Sequence, residues 1–166
     1  MIKYIKGDLI DLALAGEFDL IMHGCNIWCT MGAGIAKQIR ERIPEAYLAD
    51  LETTEGDENK VGTYSYAIKK TTKKVLNQDS RFEYKYVMVV NAYTQYTYSR
   101  SGVVFSYDGF EKILKDIAIS YPYYKIGLPL IGCGLAGGNK ERILKIIEDT
   151  IGHMDVTIVE WNKWLS

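Results

Sequence analysis

The sequence predicts an α/β layered domain with a mostly parallel sheet lying between helices. Three observations predict it. Short apolar runs of strand length alternate with longer amphipathic segments along the whole chain. Two of those runs, FDLIMH and IGLPLI, are apolar enough to be buried strands. Each is followed by a glycine cluster and then by helical spacing, in LIMHGCNIWCTMGAGIA and IGLPLIGCGLAGGNKERILKII.

The elements follow in order. Residues 1–5 read as a strand, ended by the turn residues Gly7 and Asp8. Residues 18–23 are a second strand, and the glycines Gly32 and Gly34 lead into a helix over 35–42. Pro44 suits the first turn of another helix, 45–52, followed by a polar loop over 53–60. Residues 64–69 and 73–76 look like two strands of a hairpin whose tip is Lys69-Lys70-Thr71-Thr72. The segment YKYVMVVN, residues 84–91, is rich in β-branched and aromatic side chains and predicts a strand. Phe110, Ile113, Leu114, Ile117 and Ala118 recur at helical spacing within 105–119. A strand over 126–131 ends in Gly132, Gly134, Gly137 and Gly138. The helix 140–151 carries Ile143, Leu144, Ile146, Ile147 and Ile151 on its apolar face, and 156–161 is the last strand.

Composition bounds the function. A chain of 166 residues suits one domain, and 48% hydrophobic with 25% charged residues excludes a disordered chain. The net charge of −1 argues against whole-surface attraction to DNA or RNA, while leaving room for a local basic site. Cys25, Cys29 and Cys133 are odd in number and do not form a disulfide framework. No apolar head or run of about 20 apolar residues marks a signal peptide or a membrane span. A cytoplasmic protein is expected.

Two strand–glycine loop–helix units point to an anion site. Glycine permits positive φ and close approach, and a helix start offers unpaired N–H groups and a positive dipole end. In an α/β sheet such loops gather at the carboxyl ends of the strands. A diphosphate held between two loops is the expectation. Neither loop is followed by Gly-Lys-Ser/Thr, and neither is a clean GxGxxG, so triphosphate hydrolysis and hydride transfer lose ground. His23 precedes the first loop and can move protons near neutral pH, and Asn26 can orient a hydroxyl or a water. A histidine satisfied by backbone groups is the competing reading. His153 reads as a surface or capping residue. The three cysteines read as buried or loop-lining thiols rather than metal ligands or nucleophiles. Lys69, Lys70, Lys73 and Lys74 read as a solvated hairpin tip, and Tyr93, Tyr96 and Tyr98 as core and rim. Trp161 offers an aromatic wall for a base.

With both loops placed, the sequence resembles the macrodomain family, which binds ADP-ribose. The resemblance runs through Tyr4-Ile5-Lys6-Gly7-Asp8-Leu9, His23-Gly24-Cys25-Asn26 and Met31-Gly32-Ala33-Gly34-Ile35-Ala36. It continues through Asn91-Ala92-Tyr93-Thr94-Gln95 and ends at Pro129-Leu130-Ile131-Gly132-Cys133-Gly134-Leu135-Ala136-Gly137-Gly138. Within the family it looks most like the branch of yeast-type ADP-ribose 1″-phosphate phosphatases and small bacterial and phage relatives. The resemblance implies a single macrodomain over 1–166, three layers α/β/α, with a mixed, mostly parallel sheet. It implies Asp8 and Leu9 at the adenine, Asn26 and Gly32 to Ile35 (with Ala33 and Gly34) at the distal ribose, and Trp161 flanking the adenine. Ile131, Gly132, Cys133, Gly134, Leu135, Ala136 and Gly137 would cradle the diphosphate. His23 would be the general acid/base, with Asn26 as its orienting partner, and no metal or cofactor is required.

There are departures from relatives. Ala136 stands where many macrodomains carry an aromatic residue and one hydrolase branch an aspartate. Tyr93 or Thr94 stands near that branch's lysine, and His23-Gly24-Cys25-Asn26 replaces the common Asn-Ala-Ala-Asn. The expected activity is hydrolysis of ADP-ribose 1″-phosphate. Removal of ADP-ribose from protein or nucleic acid, or binding of ADP-ribose-type nucleotides without turnover, are the alternatives. A monomer with a small-molecule ligand is expected.

Overall fold

A computed structural model describes residues 2–96, 104–133 and 137–161. Along the chain run β1 (Ile2–Gly7), α1 (Leu9–Leu14), β2 (Leu20–Asn26), α2 (Gly34–Arg42), α3 (Pro44–Leu51), β3 (Tyr64–Leu76), β4 (Phe82–Gln95), α4 (Tyr107–Ser120), β5 (Ile126–Leu128), α5 (Lys140–Ile151) and β6 (Val156–Trp161). The described strands form one sheet in the order β1-β6-β5-β2-β4-β3. All its pairings are parallel except β3 with β4. Strands that alternate apolar side chains on both faces need a cover on each. Leu20, Met22, Met88, Val90, Ile126 and Ile158 pack beneath α4 and α5. Ile21, Val87, Val89 and Val159 pack beneath α1, α2 and α3 through Ile10, Ile39 and Ala46. The result is the three-layer α/β/α arrangement.

Three differences from the sequence reading have local causes. Residues 9–14 form a helix, because the Asp8 carboxylate accepts from the backbone N–H of Ile10 and Asp11 at 2.9 and 3.0 Å and starts the turn. The strand expected over 126–131 stops at Leu128, since Pro129 supplies no N–H to a neighbour. The largest difference is the hairpin. Lys69-Lys70-Thr71-Thr72 is not a tip but lies in the middle of the 13-residue β3, antiparallel to β4, where the ladder shifts register between Lys70 and Lys74. Thr71 is buried and its hydroxyl donates to the Lys85 carbonyl at 2.7 Å, so the polar run is pinned to its neighbour. The reversal lies at Asn77, whose Oδ1 accepts from the N–H groups of Asp79 and Arg81 at 2.9 and 3.0 Å.

Candidate functional site

β2 and β5 are neighbours in the sheet, yet the chain leaves them in opposite directions. From β2 it turns to α2 on one face, and after β5 it reaches α5 on the other. Where the connections diverge in this way, a crevice opens at the carboxyl ends of the strands. Two adjoining cavities occupy it. One, about 460 Å³, reaches Asn26, Thr30, Asp50 and Gln95. The other, about 710 Å³, reaches Lys6, Leu9, Glu160 and Trp161. Gly34, Ile35, Pro129 and Leu130 border both, so the two form one cleft with the two loops facing each other at its waist.

The first loop brings the start of α2 to that waist. Its N-cap is Ala33, which makes no side-chain hydrogen bond, and the first turn holds no acidic residue. The first N–H groups of this nine-residue helix therefore lack a side-chain acceptor and carry the positive end of the helix dipole. The start of α5 differs. Asn139 caps it by accepting from the Arg142 N–H at 2.9 Å, and neither Asn139 nor Lys140 lines the cleft. Of the two helix starts expected to face each other, that of α2 borders the cleft and that of α5 does not. On the second loop Gly132 has φ 78°, and a Cβ there would lie 2.6 Å from the Phe105 ring. Any side chain there would be strained in φ and would have to displace the ring.

The first loop is shaped by strain as well as by glycine. Cys29 and Met31 adopt φ of 55° and 40°, a conformation costing non-glycine residues about 1–3 kcal/mol. Buried groups hold it. Lys60 Nζ donates to the Ile27 carbonyl at 3.0 Å, and the Cys29 thiol donates to the Asp50 carbonyl at 3.2 Å. Asn26 Oδ1 accepts from the Trp28 N–H at 2.8 Å and its Nδ2 donates to Thr30 Oγ1 at 3.0 Å. Asn26 thus lines the cavity while its amide fastens the loop.

The expected site residues separate into groups. Asn26, Gly32, Ala33, Gly34, Ile35, Ile131 and Gly132 line the Asn26 end, and Leu9, Cys133 and Trp161 the Trp161 end. Gly137 is described with φ 71° but lines neither end. Gly134, Leu135, Ala136 and Tyr98 lie outside the described residues. Asp8 lines neither end. Its carboxylate caps α1 and pairs with Arg42 at 3.1 Å.

His23 is not at the mouth of the site. It is fully buried within β2 and lines neither end of the cleft. Asn91 Nδ2 donates to the Ala46 carbonyl and to Ser65 Oγ, which leaves its Oδ1 to accept from His23 Nε2–H at 2.6 Å. Burial lowers the imidazole pKa to about 4, so the ring is neutral near pH 7. Cys25 Sγ stands 3.7 and 3.6 Å from the two ring nitrogens. Equal distances put the sulfur off both lone-pair directions, which is contact and not a thiol–imidazole proton relay. Burial also pushes the Cys25 thiol well up, keeping it protonated.

Sequence reasoning missed Asp50. This residue of α3 is 1% exposed and borders the Asn26 end. Its Oδ1 accepts from the Tyr93 hydroxyl at 2.7 Å, while its buried Oδ2 has no hydrogen-bond partner. Burial raises its pKa against the opposing effects of the Tyr93 hydroxyl and the Lys60 charge. Lys60, itself buried, sits with Nζ 4.5 Å from the centre of the Tyr93 ring. Nothing in the local pattern of PEAYLADL marks Asp50, because only the packing of α3 across β3 and β4 brings it to the cleft.

Fold and site together define a three-layer α/β protein with a cleft at a topological switch point. Among the described residues no cluster of three His, Cys, Asp or Glu side chains could hold a metal ion, and no helix is long and apolar enough to cross a membrane. No family model matches the chain. An uncharacterized 17.5 kDa protein of the tk–vs intergenic region of Enterobacteria phage T4 is 31% identical over 172 aligned positions, covering 99% of each chain. The ADP-ribose 1″-phosphate phosphatase of Candida albicans is 29% identical over 132, covering 77% of this chain and 84% of that protein. Among solved structures, the macrodomain of Mycobacterium tuberculosis DarG matches with a TM-score of 0.64 at 20% identity over 97% of each chain. Thermosipho africanus DarTG, in complex with ADP-ribose, matches at 0.68 and 15%, over 96% of this chain and 41% of that one. The chain is a relative of that phage protein, and its fold is that of the macrodomains.

Proposed function

We propose that the protein binds ADP-ribose and hydrolyses ADP-ribose 1″-phosphate to ADP-ribose and phosphate. The observation that carries the reading is the open start of α2 facing Pro129 and Leu130 at the waist of a cleft with room on both sides. A diphosphate at the waist would meet unpaired N–H groups and the dipole. The adenosine then extends to Leu9 and Trp161, and the second ribose to Asn26 and Gly32. The named activity of the Candida albicans relative and the ligand of the Thermosipho africanus structure support this assignment.

In the hydrolysis, a water oxygen attacks phosphorus and the bond from phosphorus to the ribose 1″ oxygen breaks. Backbone N–H groups stabilise the charge on the phosphoryl oxygens. Asp50, the carboxylate at that end with an unmatched oxygen, takes the proton of the water, and the leaving oxygen is protonated from solvent. His23 is a positioning residue that orients Asn91 and packs on Cys25 from behind. The test is phosphate release from ADP-ribose 1″-phosphate by wild type, Asp50→Asn and His23→Ala, with calorimetry on ADP-ribose and AMP. Wild type is expected to release phosphate and Asp50→Asn to lose about 10²-fold or more in rate. No release by wild type removes the phosphatase reading. Comparable affinity for AMP and ADP-ribose removes the second ribose from the Asn26 end.

A second reading has its own observation. The histidine is buried and neutral and the Asn26 amide is already engaged, which suits binding without turnover. Tight ADP-ribose binding with no release, and no hydrolysis across a panel of ADP-ribosylated protein and nucleic acid, would select it.

A further inference from the structure

The β3–β4 hairpin holds a feature that the cleft does not use. Tyr66, Ile68, Lys70, Lys74 and Leu76 of β3 stand opposite Val90, Met88, Tyr86, Tyr84 and Phe82 of β4. Met88 and Val90 belong to the core beneath α4 and α5, so this row forms that face of the sheet. The helices cover Met88 and Val90 but leave β3 and the far half of β4 open. Tyr66, Ile68, Leu76, Phe82 and Tyr86 are each 50–75% exposed. An apolar face of this extent on a folded protein marks an interaction surface.

The charges on the hairpin say what it fits. Residues 64–86 carry six basic and two acidic side chains, in a chain whose net charge is −1. The lysines divide between the faces. On the side of α1 and α3, Lys69 pairs with Glu45 and Lys85 with Asp19, at 2.7 and 3.0 Å. On the open side, Lys70 and Lys74 hold Nζ 4.0 and 5.4 Å from the centre of the Tyr84 ring. Neither joins an ion pair among the described residues. Of the two acidic residues, Glu83 pairs with Val75 in the ladder and so points to the other face, and Asp79 lies in the turn. The open face therefore combines aromatic rings and unpaired cations with no carboxylate of the hairpin's own, Asp116 of α4 meeting it at the Tyr64 hydroxyl. A second copy seated face to face would set lysines against lysines. A polyanion with exposed flat rings matches both features.

We propose that this face binds single-stranded nucleic acid, with Tyr66, Phe82 and Tyr86 stacking on bases and Lys70 and Lys74 holding phosphates. Phe82, Tyr86 and the Tyr66–Val90 pair are four residues apart along β4, about 13.6 Å, so the rings meet an extended single strand at intervals, with Lys74 and Lys70, opposite Tyr84 and Tyr86, among them. Stacking of this kind tolerates any base and excludes a duplex, whose ring faces are occupied. The surface is separate from the cleft, so binding does not require ADP-ribose.

The experiment is fluorescence anisotropy of a labelled 15-nucleotide oligo-dT, and of the same strand annealed to its complement, over a salt series. The single strand is expected to bind, with log K falling against log salt at a slope of about 1.4 for two phosphate contacts. Tyr86→Ala and Tyr66→Ala should each weaken binding about 5- to 100-fold without changing that slope. Lys70→Ala should lower the slope by about 0.7. ADP-ribose affinity should be the same in all three variants. No binding by wild type at low salt overturns the proposal, as do a duplex bound equally well, an acidic tyrosine-containing peptide that binds as tightly, or full displacement by ADP-ribose. A concentration-dependent dimer in light scattering that Tyr86→Ala dissolves, without oligonucleotide binding, assigns the face to a second copy instead.

Discussion

The two ends of the cleft are built on different plans. The Trp161 end is framed by the edges of β1 and β6, with Leu9 and Trp161 in its wall and Lys6 and Glu160 at its border. Its shape follows from strand ends that are fixed by the sheet ladder, where Gly7 stands opposite Trp161. The Asn26 end is framed by a loop in strained conformation, held by Lys60, Asn26 and the thiol of Cys29. Behind it lies a chain of buried polar groups from Asp50 through Tyr93, Ser65 and Asn91 to His23. One end is set by backbone pairing and the other by side-chain hydrogen bonds. Substitutions should therefore damage the second end while sparing the first.

The largest effect is expected from Lys60→Met. It removes donors to Ile27 and Cys29 and the cation beside Asp50, and should cost about 2–4 kcal/mol in urea unfolding. AMP affinity should persist while the preference for ADP-ribose falls; equal loss of both would show that the ends are not independent. Gly132→Ala strikes the waist. A Cβ within 2.6 Å of Phe105, at φ 78°, should cost about 2–3 kcal/mol, read as a fall in Tm. An unchanged Tm would mean that Phe105 moves freely.

Acid should act next, through His23. Its folded pKa of about 4 lies below the usual 6.5, so between those values the unfolded chain binds a proton that the folded chain refuses. Stability is full above pH 6.5 and is lost as pH falls toward 4. The contribution between pH 7 and 5 is about 2 kcal/mol, taken as the difference in urea stability between wild type and His23→Gln. Asp50, with its raised pKa, works in the opposite sense in both proteins and cancels from the difference. Parallel pH profiles would mean that the ring takes up its proton in the folded chain as readily as in the unfolded one. The smallest effect is that of Asp50→Asn on binding. It keeps an acceptor for Tyr93 and replaces the unmatched oxygen with a donor, so the preference for ADP-ribose over AMP should drop about tenfold, with little change in Tm.

Much of this architecture is legible in the sequence, for physical reasons. Helix α5 and strand β6 have the bounds that periodicity assigns, because each has a clean apolar stripe and a sharp stop. The two loops were legible as glycine clusters, and their meeting at one cleft follows from the parallel sheet. What escaped the sequence depends on tertiary crossing. Asp50 reaches the cleft from a helix with no motif, and nothing in FDLIMH says that Asn91 of β4 takes the His23 ring and keeps it from the cleft. Asp8 sits in a turn that the local pattern gives correctly, but Arg42, 34 residues away, claims its carboxylate. The polar run at residues 69–74 defeated the strand reading because its lysines reach solvent or acidic partners from both faces of the sheet.

That run has one more consequence. β3 closes the sheet, and among the described residues no strand lies beyond it. Thirteen extended residues with so many apolar side chains would invite a stranger's strand and the growth of fibrils. Lysines spaced along both sides act as gatekeepers, because an incoming copy would bring its own positive charges into register with them. Replacing them with threonine would preserve the fold of each molecule and endanger the solution as a whole.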